Sequence, residues 1–288
     1  MVCFRLLLGL FLCLTWLLNG CAGKIKTAVA GSLIIDVAAA TAKHDDLVLV
    51  AQGAPTYLLL LEGLLESNPN NKRLLRSTAE AYISYGTLIE ADDPQRAGRS
   101  YLRAKQYALK ALAQNKNIAP LLSAPFSEFS TIDTHLKDKD LVLVFWAASS
   151  WGAWISLSTA SMAALADLPK VIHLMEWVIG QDESFFYGSP HIFLGIYHGS
   201  LPKMLGGSPE KSLHHFSRAL EISDNKMIMV HVQMAKFYAR QIFDRDLYES
   251  LLTQALALPV DGLPELTLQN VAAQKMARLL LEETDDFF

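Results

Sequence analysis

Apolar side chains recur along most of the chain at i, i+3, i+4 and i+7, the period of a helix that buries one stripe. Leu75, Ala79, Tyr82, Gly86 and Ile89 mark one stripe. Across Asp92-Asp93-Pro94 the next is carried by Tyr101, Ala104, Ala108, Ala111 and Leu112, so the two read as a helical hairpin. Ser208-Pro209-Glu210 opens another helix, with Ser as N-cap and Pro where its missing N–H is harmless. Leu213, Phe216 and Leu220 supply its buried face. Ile228, Val232, Ala235, Ala239 and Ile242 predict the following helix, and Leu247, Leu251, Ala255 and Leu258 the one after it, stopped by Pro259. Leu268, Ala272, Met276 and Leu279 predict a last helix that caps the array, and Asp285-Asp286-Phe287-Phe288 a frayed tail.

The regularity breaks in three places. Residues 113–139 hold two prolines and mixed polarity, which predicts a long connector lying over the array. Pro55 is expected to kink or split the helix that precedes Leu58–Leu65. Leu141–Ala166 carries no charge and is long enough to cross a membrane, but it is rich in serine, and the turn Ser158-Thr159-Ala160-Ser161 divides it into two shorter helices. These helices either sit buried at the centre of the array or line an apolar cavity.

The second helices of the hairpins end alike, in Ala111-Leu112-Ala113, Ala219-Leu220-Glu221 and Ala255-Leu256-Ala257, except in the middle hairpin, where Trp177-Val178 takes that place. Together with Asn68-Pro69-Asn70-Asn71 ahead of a long helix, these endings resemble degenerate tetratricopeptide (TPR) repeats, whose period is about 34 residues. The expected fold is all-α, a TPR-like array of antiparallel helical hairpins; a generic up-and-down bundle would use the same stripes.

Composition agrees with helices and narrows the partners. Of 288 residues, 51% are hydrophobic and 19% charged, which excludes a disordered chain. The mean hydropathy of +0.23 is high for a soluble protein. At the start, Arg5 precedes an apolar run, Leu6–Leu18, too short to span a bilayer, as in a signal peptide. Its end, Leu18-Asn19-Gly20-Cys21, resembles the bacterial lipobox, which implies cleavage before Cys21 and acylation of its thiol. Cys3 and Cys13 leave with the signal, so Cys21 stands alone as a tether and no intramolecular disulfide can form.

The mature chain then has 24 basic against 29 acidic residues, a balance that argues against nucleic acid or acidic lipid as a partner. The expected organisation is a lipoprotein signal peptide over 1–20, a lipidated N-terminus and first helix over 21–44, and a TPR-like domain over 45–288. Ala22 is not the aspartate that commonly retains lipoproteins at the inner membrane, which favours a periplasmic protein anchored at the outer membrane.

Two segments are candidates for chemistry. Trp146, Trp151 and Trp154 crowd one helix, and from Phe185 to Gly207 aromatic residues alternate with glycines. A core is normally filled with aliphatic residues, because each buried indole N–H or phenol O–H needs a partner. Trp146, Trp151, Trp154, Phe186, Tyr187, His191 and Tyr197 are therefore expected to line an apolar channel, with His191 placed to meet a ligand's acid group. The alternative is solid packing and a helical hairpin with a Gly-Gly linker.

No nucleophile-elbow, zincin, Walker A or dinucleotide-binding pattern is present. His191 and His198 lie two turns apart, and the adjacent His214 and His215 point in different directions, with no convergent carboxylate or cysteine. Neither catalysis, metal nor cofactor is expected.

Several motifs in order carry a more specific resemblance: Gly53-Ala54-Pro55 leading into Tyr57–Leu64, Trp146-Ala147-Ala148-Ser149-Ser150-Trp151-Gly152-Ala153-Trp154-Ile155, Ala166-Asp167-Leu168-Pro169, His191–Tyr197, and Gly206-Gly207-Ser208-Pro209-Glu210-Lys211. In this set the chain resembles the T component of tetratricopeptide-repeat-associated TRAP transporters. The resemblance implies a periplasmic lipoprotein of repeat helices, often a homotrimer, that docks a TRAP solute-binding protein and holds an apolar channel. The expected function is non-catalytic assistance in uptake of a small hydrophobic or organic-acid solute. A general envelope assembly scaffold that binds peptides through a charged concave groove is the alternative.

Overall fold

The computed structural model describes residues 33–288. The signal peptide and Cys21 lie outside the described residues. Helix α1 (Leu33–Ala42) belongs, up to Thr41, to an N-terminal unit of its own, and residues 42–288 form the second unit. Among the described residues there is no strand.

The second unit opens with three long helices whose starts are fixed by side-chain caps. Asp46 accepts from the backbone N–H groups of Val48 and Leu49 to begin α2 (Leu47–Ser67). Asn71 caps α3 (Lys72–Ile89), and Asp93 caps α4 (Pro94–Leu112). Helix α2 runs through Pro55, so the expected split is absent. Proline removes one backbone hydrogen bond, and this stretch of α2 is uncrowded: a Cβ at Gly53 would meet nothing within 4 Å.

The hairpin α3/α4 has most of the stripe read from the sequence: Leu75, Ala79, Gly86, Tyr101, Ala104, Ala108, Ala111 and Leu112 are buried, while Tyr82 and Ile89 are half-buried. Its closeness is set at Gly86, where an added Cβ would stand 2.5 Å from Cε1 of Tyr101. The Tyr101 hydroxyl is tied down in turn, donating to Glu90.

Helix α5 (Phe126–Phe129) lies in the connector and precedes α6 (Leu141–Ser156), α7 (Met162–Ala166) and α8 (Leu168–Gln181). The uncharged stretch is divided at the expected turn, and the Ser161 hydroxyl caps α7 by accepting from Ala164 N. Helix α6 packs against α3, α4 and α8 and is the centre of this half. The connector is a chain of short helical turns packed on α8, and it buries Ile118, Phe129 and Ile132. By length and composition, the helix among the described residues that could cross a membrane is α2 rather than 141–166.

Helices α9 (Phe185–Ser200) and α10 (Pro209–Ile222) form the next hairpin, turned at Gly206 (φ 96°) and capped by Ser208. Their approach is close. The Ser212 hydroxyl donates to the carbonyl of Gly195 at 2.8 Å, and a Cβ at Gly195 would stand 3.0 Å from the Phe216 ring. This contact corrects the expected face of α10: Ser212, Phe216 and Ala219 are buried, while Leu213 is exposed. A serine, whose hydroxyl answers the Gly195 carbonyl, holds a position that an apolar period assigns to its neighbour.

Two of the last three helices differ from the sequence reading. Helix α11 (Met229–Gln233) passes into a π-helical turn over Met234–Ala239, and Ile242, expected on the buried stripe, is exposed. Helix α12 (Arg245–Ala257) stops before Pro259 as predicted. In α13 (Thr267–Glu282) the buried positions are Thr267, Asn270, Ala273, Ala277 and Leu280, and the last three lie one step on from the expected Ala272, Met276 and Leu279.

Asn270 explains the shift in α13. Its side chain accepts from Ile228 N and donates to the carbonyls of Lys226 and Val260, each at 3.0 Å, so a polar residue sits at the centre of the buried face. The tail is not frayed: Phe288 packs on Phe243 and Tyr248, and the Arg240 guanidinium lies 3.4 Å over the Phe287 ring.

Asn270→Ala leaves three backbone groups without partners, at about 1–3 kcal/mol each where they are buried. Denaturant unfolding is expected to show a loss of about 3 kcal/mol or more. A loss below about 1 kcal/mol would mean that water replaces the side chain.

Candidate functional site

The seven residues predicted to line a channel fall into three neighbourhoods. Trp146 of α6 and Phe186 at the start of α9 form the first, their ring centroids 5.8 Å apart, joined by Phe145 and Tyr187. The backbone here is unusual. Phe186, Tyr187 and Gly188 have φ of 44°, 58° and 79°, the left-handed region that costs about 1–3 kcal/mol for a residue with a Cβ.

Local bonds hold this turn in place. The Ser189 hydroxyl donates to the Phe186 carbonyl at 2.7 Å, and the Tyr187 hydroxyl donates to Glu265. That bond, with burial, pushes the Tyr187 phenol up to about 12. Regular helix resumes at Ser189, with Pro190 in its first turn, where its missing N–H is harmless. The outcome is a phenylalanine, Phe186, left 38% exposed beside Trp146 and Phe145.

Trp151 and Trp154 belong to a second, charged neighbourhood. Trp151 is 1% exposed, and its indole N–H donates to the Asp167 carboxylate at 3.2 Å. The same carboxylate receives Lys170 at 3.1 Å and Lys105 at 3.8 Å. Lys105 also lies 3.8 Å over the Trp154 ring and 4.7 Å from that of Trp151, cation–π contacts that replace lost hydration. Two nearly buried ammonium groups thus share one carboxylate. Burial pulls the Lys105 pKa down, Asp167 opposes the shift and Lys170 adds to it. The protein itself meets the polar tip of Trp151, so no solvent or ligand is needed there.

His191 and Tyr197 lie in the third, on the α9–α10 contact. His191 Nδ1 is 2.9 Å from His215 Nδ1, so one ring donates and the other accepts. His198 stacks on His215 with the planes 5° apart, and Tyr197 packs on His198. On its other side His191 Nε2 is 3.5 Å from Glu183, which is held by Arg218.

Neighbouring positions in the sequence gave no hint that His215 enters between His191 and His198. The small residues at Gly195 and Ser212 were the available signal. Burial lowers the pKa of all three rings, and for His215, with His191, His198, His214 and Lys211 around it, to about 4. Among the described residues no group of three or more His, Cys, Asp or Glu side chains is arranged to hold a metal ion.

These rings are neutral in the folded protein and charged in the unfolded chain below about pH 6.5. Their contribution is complete above that pH and is lost as pH falls toward about 4, the value for His215. Buried His231 acts in the same sense. The melting temperature is therefore expected to fall between pH 7 and pH 5, and less steeply in His215→Phe, which keeps a ring and removes the titration. An equal slope in the variant would show that other groups set the acid sensitivity.

Comparison with known proteins adds two findings. An uncharacterized protein of Treponema pallidum (strain Nichols) is 24% identical over 266 residues, which is 85% of this chain and 81% of the relative. Residues 43–288 match the family described as TRAP transporter T-component, almost the whole of the described chain. The chain belongs to the TRAP transporter T-component family.

Proposed function

We propose that the protein acts in TRAP transport as a non-catalytic docking component, tethered to the envelope through Cys21, with residues 45–288 facing the periplasm. In this reading it holds a solute-binding protein and offers a small apolar or organic-acid solute a surface on its way to the membrane subunits. The observation that carries it is the aromatic seam of Trp146, Phe145 and Phe186, kept open by a left-handed turn in a chain of this family. Strain of that kind persists only where surrounding contacts over-determine it, and here it leaves a large ring in solvent instead of in the core. Trp146, Phe186 and Tyr187 are the solute-facing residues. Trp151, Trp154 and His191 are engaged within the protein instead, by Asp167, by Lys105 over the ring and by His215.

Solute uptake in cells and capture of the transporter's solute-binding protein test this reading together. Phe186→Ala is expected to reduce uptake severalfold, to leave the captured complex intact, and to change stability by no more than about 1 kcal/mol, because the ring is partly exposed. Normal uptake in Phe186→Ala and Trp146→Ala would exclude the seam. Failure of the unaltered protein to capture the solute-binding protein at low salt would exclude docking.

A further inference from the structure

A second surface lies away from the aromatic seam, where α2 and α4 flank α3. They flank a cleft of about 330 Å³ lined by Leu58, Tyr82 and Tyr85, with Leu59 and the arginines Arg96, Arg99 and Arg103 at its exposed edge. Helix α4 carries five cations, Arg96, Arg99, Arg103, Lys105 and Lys110, and no acidic residue, within a chain of net charge −4. The three arginines recur at intervals of three and four residues and so share one face over about two turns, roughly 10 Å.

Little within the protein neutralises them. Arg99 has no ion pair or hydrogen bond among the described residues. Arg96 lies 5.4 Å over the Tyr85 ring, and Arg103 reaches Glu62 at 3.5 Å while remaining 57% exposed. Glu62 already accepts from the hydroxyls of Tyr82 and Tyr107. At the same edge Leu59 is 68% exposed.

We propose that this cleft docks an acidic amphipathic helix of the transporter's solute-binding protein, a statement that rests on the docking reading above. Carboxylates at i, i+3 and i+7 of such a helix match the arginine spacing, and an apolar residue between them covers Leu59. The concavity favours a helix over a lipid surface, since cations and apolar side chains line a depression that a flat bilayer does not enter. The charge excess on the rim makes association fast and salt-dependent.

The test measures binding of the purified mature protein to the purified solute-binding protein at low and moderate salt, for the unaltered chain, Arg96→Glu/Arg99→Glu, Leu59→Ser, and Lys116→Glu on the connector as control. The double reversal is expected to weaken binding by at least about tenfold and to flatten the salt dependence, Leu59→Ser to weaken it with the salt dependence kept, and the control to change nothing. These side chains are exposed, so circular dichroism melts should stay unaltered; should the reversal unfold, Arg99→Ala provides the same comparison.

Binding of the double reversal equal to that of the unaltered chain overturns the assignment of the cleft and leaves docking itself standing. A lost affinity for anionic phosphatidylglycerol vesicles instead, or a change in oligomeric mass, assigns the cleft to lipid or to a second copy and overturns it as well. No binding by the unaltered chain removes the docking reading and this inference with it.

Discussion

The arrangement of the helices depends on aromatic rings seated against glycines. A Cβ placed at Gly86 of α3 would stand 2.5 Å from Tyr101 of α4, at Gly152 of α6 2.4 Å from Phe193 of α9, and at Gly195 of α9 3.0 Å from Phe216 of α10. Real Cβ atoms essentially never approach other atoms as closely as the first two. Each ring occupies the room that a missing side chain leaves, and each contact joins one helix to another. Burying such a ring contributes about 1.5–3 kcal/mol, so the notches both space the helices and supply much of their attraction. The seating of Phe193 and Phe216 fixes α9 between α6 and α10. Phe186 consequently reaches Trp146, and His191 reaches His215.

Several polar groups within this array sit where a partner answers them. Asn270 joins three backbone groups from two loops, Ser212 meets the Gly195 carbonyl, and Trp151 meets Asp167. Lys105 and Lys170 share that aspartate and complete their surroundings with aromatic faces. His231 is different, with both ring nitrogens buried and unpartnered, which accounts for its lowered pKa through burial alone. The surface shows the complementary pattern, a basic rim on α4 and an exposed aromatic turn before α9, both on helices whose opposite faces are anchored in the core.

Much of this was legible in the sequence. The stripe of α4, most of that of α3, the cap at Ser208, the turn at 158–161 and the stop at Pro259 follow from local rules and stand as read, whereas the capping roles of Asn71 and Asp93 were not drawn from the sequence. The stripes of α10 and α13 were misplaced because Ser212 and Asn270 are polar, and only the geometry of their partners makes burial favourable. Phe287 and Phe288 look like tail residues until Tyr248 and Arg240 come to meet them. The aromatic candidates were visible by type, but their division into three neighbourhoods was not: Asp167, Lys105 and His215 enter from other helices, and no spacing within one helix encodes that. The arginines of α4 were equally plain in the sequence, yet the cleft they rim exists only when α2 lies opposite.

The seating of rings on glycines is tested most directly by Gly86→Ala, measured by denaturant unfolding alone and in a Tyr101→Leu background. Helix propensity by itself favours alanine over glycine by about 0.8–1.0 kcal/mol. If the Tyr101 ring occupies the notch, Gly86→Ala destabilises the otherwise unaltered protein by about 1–3 kcal/mol, and in the Tyr101→Leu background that penalty disappears. A Gly86→Ala protein more stable than its parent, with the same gain in both backgrounds, would contradict the account.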